Sequence, residues 1–155
     1  MTTDTQPDSN PTSNEVRARA IKLLARREHA PVELAFKLDQ RGYPEALVQE
    51  VLAELIEDNL LSSSRYAEAL TRSRIEKGNG PLRIRDELSG NAIDESIIED
   101  ALDAAEVDWN DLARRVRHKR FGAQQPRDFP AKAKQMRFLQ QRGFANSHIK
   151  AAFDS

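Results

Sequence analysis

Three stretches of this chain align without a gap: FKLDQRGYPEALVQEVL (36–52), DELSGNAIDESIIEDAL (86–102) and RFLQQRGFANSHIKAAF (137–153). Leu38, Leu88 and Leu139 fall in register, 50 and 51 residues apart. So do Tyr43, Ile93 and Phe144, then Val48, Ile98 and Ile149, then Leu52, Leu102 and Phe153. Gly42, Ala92 and Gly143 occupy the same turn between two helical patterns. Any two amphipathic helices can be slid into apolar register. Agreement of helix order, turn position and apolar stripe in three copies is far more restrictive.

Each block follows one more amphipathic stretch, at 14–28, about 64–77 and about 109–121. In the first, Val16, Ala20, Leu23 and Leu24 keep the i, i+4, i+7, i+8 spacing of a helix face. Strand-like alternation is nearly absent. The expected fold is all-α, with three tandem three-helix units at 14–61, 62–107 and 108–155 after a disordered tail at 1–13. A unit of about 47 residues buries too little surface to stand alone, so each should lean on its neighbour. The expected outline is an elongated, curved rod, a shape suited to a long partner.

Composition narrows the chemistry. The 155 residues contain no cysteine, which excludes disulfides and thiolate metal sites and fits a reducing cytoplasm. No apolar run nears the roughly 20 residues of a membrane span, and no signal peptide is evident. His29, His118 and His148 fall in different units without metal-ligand spacing. No nucleophile elbow exists, and the serines at 62–64 read as helix caps. No catalytic residue, metal or cofactor is expected.

Charge is segregated although the net charge is only -1. Residues 72–85 hold five Arg/Lys against one acid, 86–111 hold ten acids and no Arg/Lys, and 112–142 hold ten Arg/Lys against one acid. Either these are solvated helix faces, or two basic surfaces flanking an acidic one orient a charged partner.

The stretch RSRIEKGNGPLRIRDEL (72–88) could suggest a phosphate loop. The lysine precedes the glycines, no Ser/Thr follows and the flanks are helical, so the P-loop pattern fails. Gly78 instead suits the end of one helix, and Pro81 the first turn of the next. The dipole opposes Arg83 and Arg85 at a helix start. A partner carboxylate or phosphate would offset that cost; alternatively Arg74 or Arg83 pairs with Glu87 or Asp86 on its own surface.

IKLLARREHAPVELAFKLDQRGY (21–43), LSSSRYAEALTRSRIEKGNGPLRIRDEL (61–88) and FLQQRGF (138–144) closely resemble the bacterial RecX regulatory family, over roughly residues 15–155. The most specific segment is R-S-R-x-x-K-G-x-G-x-x-R-I-x-x-E-L, met by Arg72, Ser73, Arg74, Lys77, Gly78, Gly80, Arg83, Ile84, Glu87 and Leu88. Ser63 departs from it, standing where the family usually has aspartate; serine caps as well. The resemblance implies a non-enzymatic modulator of RecA that lies in the groove of the RecA–DNA filament and spans neighbouring subunits. It would suppress ATPase, strand-exchange and co-protease activities, and so modulate DNA repair and the SOS response. The expected contacts to acidic RecA surface or DNA phosphates are Arg72, Arg74, Lys77, Arg83 and Arg85, with Arg114, Arg115, Arg117, Lys119 and Arg120. The acidic block would face away from DNA or pair with basic RecA residues. The protein is expected to be a cytoplasmic monomer. Weak direct DNA contact could accompany RecA binding. A second reading is a direct DNA-binding helical protein, supported by the basic 112–142 segment and by the RGY and RGF turns, which could set an aromatic beside a phosphate-binding arginine. Tyr43 and Phe144 align with Ile93, however, and read rather as hydrophobic contacts.

Overall fold

The computed structural model describes residues 11–154, and the first ten residues of the expected tail lie outside them. The described residues form nine helices and no strand: α1 Ser13–Leu24, α2 Pro31–Gln40, α3 Glu45–Glu57, α4 Ser63–Glu76, α5 Pro81–Gly90, α6 Glu95–Ala104, α7 Trp109–Phe121, α8 Phe129–Gln141 and α9 Asn146–Ala152. The chain is all-α. The helix expected at 14–28 stops at Leu24, where His29, Ala30 and Pro31 lead into α2. Thr12 and Ser13, placed in the expected tail, are the cap and first residue of α1: the Glu15 N–H donates to Thr12 Oγ1, and the Thr12 N–H to Glu15 Oε1. This reciprocal pair satisfies two otherwise orphaned donors.

The repeat is written into the backbone. The middle helix of each triplet, α2, α5 or α8, carries a proline in its first two positions: Pro31, Pro81 or Pro130. There the missing N–H costs nothing. Each middle helix ends in a left-handed residue, Gly42 at φ +88°, Ala92 at +59° and Gly143 at +97°. Their N–H groups return to Asp39, Ser89 and Gln140 carbonyls respectively. The turn reverses the chain, so that Leu38, Leu88 and Leu139 are fully buried beside Val48, Ile98 and Ile149. Only glycine takes such φ values freely; Ala92 carries a Cβ into them.

The chain divides into two compact units, one ending at Tyr66 and the other beginning at Ala67. In the first, Val16 and Ala20 of α1, Leu34 and Leu38 of α2, and Val48, Val51, Leu52 and Leu55 of α3 form one core. His29 is buried behind it. Its Nδ1–H donates to the Arg27 carbonyl at 3.0 Å, and its Nε2 accepts from Lys37 Nζ at 2.9 Å. Burial, aided by the neighbouring cations, holds this imidazole below its ordinary pKa of 6.5. Arg17 bridges to Glu54 and Asp58, tying α1 to the end of α3.

The second unit holds α4 from Ala67 onward and all of α5 to α9, and within it the two triplets are joined through backbone. The Gly80 N–H donates to the Arg142 carbonyl at 2.7 Å, and the Leu82 N–H to the Gly143 carbonyl at 2.9 Å. A Cβ on Gly80 would lie 2.5 Å from Gly143 O, and one on Gly143 2.4 Å from the Arg83 Cβ. Ile75, at the end of α4, also packs against the last triplet's core of Leu112, Ala113, Leu139, Phe144, Ile149 and Ala152. The glycines of the 78–83 turn therefore permit one helix turn to dock on another.

Candidate partner-binding groove

Two arginines lock that junction from opposite sides. Arg83 donates from Nη1 to the Gln141 carbonyl at 3.3 Å, the last residue of α8. Arg142 donates from Nη1 to the Lys77 carbonyl at 2.6 Å, just beyond α4. A cation at a helix C-terminus is favourable. Arg83, ill placed for its own helix dipole, thus meets a favourable one on α8, and no outside anion is needed to explain its position.

Beside the junction, α4, α7 and α8 enclose an open groove of about 610 Å³. Its apolar lining is Ile75, Leu112, Val116 and Phe138. Lys77, Arg115, Lys119, Arg120 and Arg142 supply the cations, and Glu76 is the single carboxylate lining it. On α7, Arg115 and Lys119 lie one turn apart, with Leu112 and Val116 on the adjoining stripe. That amphipathic split gives the groove a greasy lining and a charged rim. Among the described residues no carboxylate lies within ion-pair distance of Lys77, Lys119 or Arg120, whereas Arg115 pairs with Asp111 at 2.8 Å. The Arg120 and Arg142 guanidiniums sit over the Phe138 ring at 5.0 and 5.1 Å, and Phe121 meets it edge to face at 5.4 Å.

Four of the ten cations expected at a partner surface, Lys77, Arg115, Lys119 and Arg120, therefore converge on one groove. Arg72 is exposed and lines a separate hollow of about 450 Å³ with Glu68 and Glu76. The other five are occupied internally. Arg74 binds Glu87 bidentately, Nε to Oε1 at 2.8 Å and Nη2 to Oε2 at 2.6 Å, which keeps the Glu87 carboxyl below its ordinary pKa. Arg85 holds both Glu95 and Glu99, anchoring α5 to the acidic α6. Arg114 donates to the Ala151 carbonyl at 3.3 Å. Arg83 is in the junction.

Arg117 departs furthest from the expected surface. It is 1% exposed, and donates to Gln135 Oε1 at 2.8 Å and to the Gln124 and Ala152 carbonyls, with its guanidinium over the Phe153 ring at 4.5 Å. It builds the last triplet and cannot touch a partner. A sequence signal existed: Arg117 is one turn beyond Ala113 on the buried stripe of α7. Arg142 was not among the expected RecA contacts; its signal was the Arg-Gly-aromatic turn that it shares with Arg41, which the sequence tied only to DNA binding.

No group of three or more His, Asp or Glu among the described residues could hold a metal ion, and no described helix is long and apolar enough to cross a membrane. The fold and groove define a class: an all-α protein of tandem three-helix units that presents a cationic groove lined with apolar side chains.

Family models for the first, second and third three-helix domains of RecX match residues 17–55, 64–102 and 106–153. The regulatory protein RecX of Halorhodospira halophila (strain DSM 244 / SL1) is 46% identical over 140 residues, covering 90% of this chain and 87% of that protein. That of Pseudomonas entomophila (strain L48) is 45% identical over 134 residues, 86% of each. A crystal structure of a regulatory protein RecX matches with TM-score 0.78 at 25% identity, covering 92% of this chain and 73% of that one. The RecX of Lactobacillus salivarius shares the fold, with TM-score 0.73 over 90% of this chain and 93% of that one at 23% identity. The chain belongs to the RecX family.

Proposed function

We propose that this chain is a non-catalytic regulator that binds the RecA–DNA filament in its groove and restrains RecA's ATPase, recombinase and co-protease activities, and through them DNA repair and the SOS response. It acts as a cytoplasmic monomer, with the segments 14–61, 62–107 and 108–155 as successive contact modules. The observation that carries this reading is the concentration of Lys77, Lys119 and Arg120, without ion-pair partners among the described residues, beside Arg115 and Arg142 in one groove. In a family of regulatory proteins, uncompensated charge at a preformed concavity is what a partner surface requires. Arg72 lies outside this groove, in the neighbouring hollow between α4 and α6. Arg85 fixes the acidic helix α6 to α5 through Glu95 and Glu99, and Arg74 ties α5 to α4 through Glu87, so the acidic face is presented as a unit.

The test is RecA's single-stranded-DNA-dependent ATPase with and without this protein. Wild-type chain should suppress turnover, and the K119E/R120E variant should require a several-fold higher concentration for the same suppression with its helical circular dichroism unchanged. Turnover unaffected by the wild-type chain overturns the reading.

A further inference from the structure

The groove contains more than a polyanion needs. A phosphate backbone would be served by cations alone, and a nucleobase by an open aromatic face. Here the one aromatic lining the groove, Phe138, has the Arg120 and Arg142 guanidiniums over its ring and Phe121 packed against it, so a stacking base would have to displace a guanidinium. Ile75, Leu112 and Val116 meanwhile offer a branched aliphatic surface between the cations. A volume of about 610 Å³ is of the size that takes a few buried side chains.

We infer that the groove is a socket for an acidic amphipathic protein segment: one or two leucine-sized side chains enter between Ile75, Leu112, Val116 and Phe138, and flanking carboxylates meet Lys77, Lys119 and Arg120. This rests on the proposed regulatory function and names the chemistry of its partner at this site. Charge complementarity selects the segment, because five cations line the groove against the lone Glu76. The apolar lining selects protein over nucleic acid. Buried leucine contributes affinity and the rim carboxylates contribute orientation and on-rate. Arg142 has a second role here, since its hydrogen bond to the Lys77 carbonyl fixes Lys77, just beyond α4, next to the helix end that carries Ile75.

The experiment uses the full chain and a fluorescein-labelled synthetic helix with two leucines one turn apart and glutamates on both flanks, read by fluorescence anisotropy. Saturable binding is expected, with at least about a tenfold loss on replacing both leucines by serine. A similar loss is expected with the K77E/K119E variant, whose substituted side chains are exposed and should leave the fold intact. A single-stranded oligonucleotide should fail to displace the peptide at equal concentration. Absence of binding, indifference to the leucines, or displacement by the oligonucleotide overturns the socket. If the chain still suppresses RecA's ATPase in any of those cases, the socket alone has failed; peptide binding without suppression would leave the socket standing and remove RecA as its context.

Discussion

Gly80 and Gly143 touch through their backbones. A Cβ on Gly80 would stand 2.5 Å from Gly143 O, while the Gly80 N–H reaches the Arg142 carbonyl at 2.7 Å. Helix turns pack this closely only where side chains are missing from both.

Gly143→Ala should therefore destabilise the second unit by roughly 2–4 kcal/mol, the sum of overpacking against Arg83 and a left-handed alanine. Gly42→Ala, at φ +88° with nothing within 4 Å of its new Cβ, is the control and should cost only about 1 kcal/mol. Urea denaturation midpoints distinguish the two; equal losses would remove the close approach as the cause.

Ala92 is the equivalent position with the wrong residue, at φ +59°. Ala92→Gly should stabilise the protein by about 0.5–1 kcal/mol, read as a rise in melting temperature. A fall would mean that the Cβ makes contacts outweighing its strain.

Arg117→Met should cost roughly 2–4 kcal/mol, because Gln135 Oε1 and the Gln124 and Ala152 carbonyls lose their donor in a buried setting. Arg115→Met, at an exposed rim position, should change stability by no more than about 0.5 kcal/mol while weakening suppression of RecA's ATPase. Thermal melts and the ATPase assay together separate the structural arginine from the surface one.

Acid should weaken the fold in two stages. Burial holds His29 and His148 below the usual imidazole pKa. The unfolded chain therefore takes up protons that the folded one refuses, and stability falls as pH drops below about 6.5. His148 also accepts the Ala145 N–H at Nδ1 at 3.2 Å, a cap that protonation abolishes. Glu87 and Glu99 are held below the ordinary carboxyl range, chiefly by hydrogen bonds from Arg74 and Arg85. Their contribution is present above about pH 4.5 and is lost as pH falls through their folded pKa values. Urea midpoints measured stepwise from about pH 7.5 to 3 should fall in both windows, and His148→Gln should flatten the first. A midpoint constant between about pH 7 and 5 would contradict the histidine assignment.

Much of this architecture was legible in residues 36–52, 86–102 and 137–153. Buried leucines at the same place in three helices, followed by Gly, Ala or Gly, encode the turn locally, so periodicity alone finds it. Ser62 as the α4 cap, accepting the Arg65 N–H at 3.1 Å, was legible for the same reason. The groove was legible only in part. Composition counts Arg115 and Arg117 alike, yet two residues on a helix separate rim from core. Arg74 and Arg85 are spent on Glu87, Glu95 and Glu99, partners set by how α4, α5 and α6 meet. The meeting of Gly80 with Gly143 is tertiary, joining residues 63 positions apart, and no local pattern announces it.

The Arg83 and Arg142 clasp has an evolutionary corollary. Each arginine serves the carbonyl of the other's triplet, so neither α4–α6 nor α7–α9 can be transplanted, duplicated or deleted alone without leaving frayed helix ends. The two should be inherited as a single cassette.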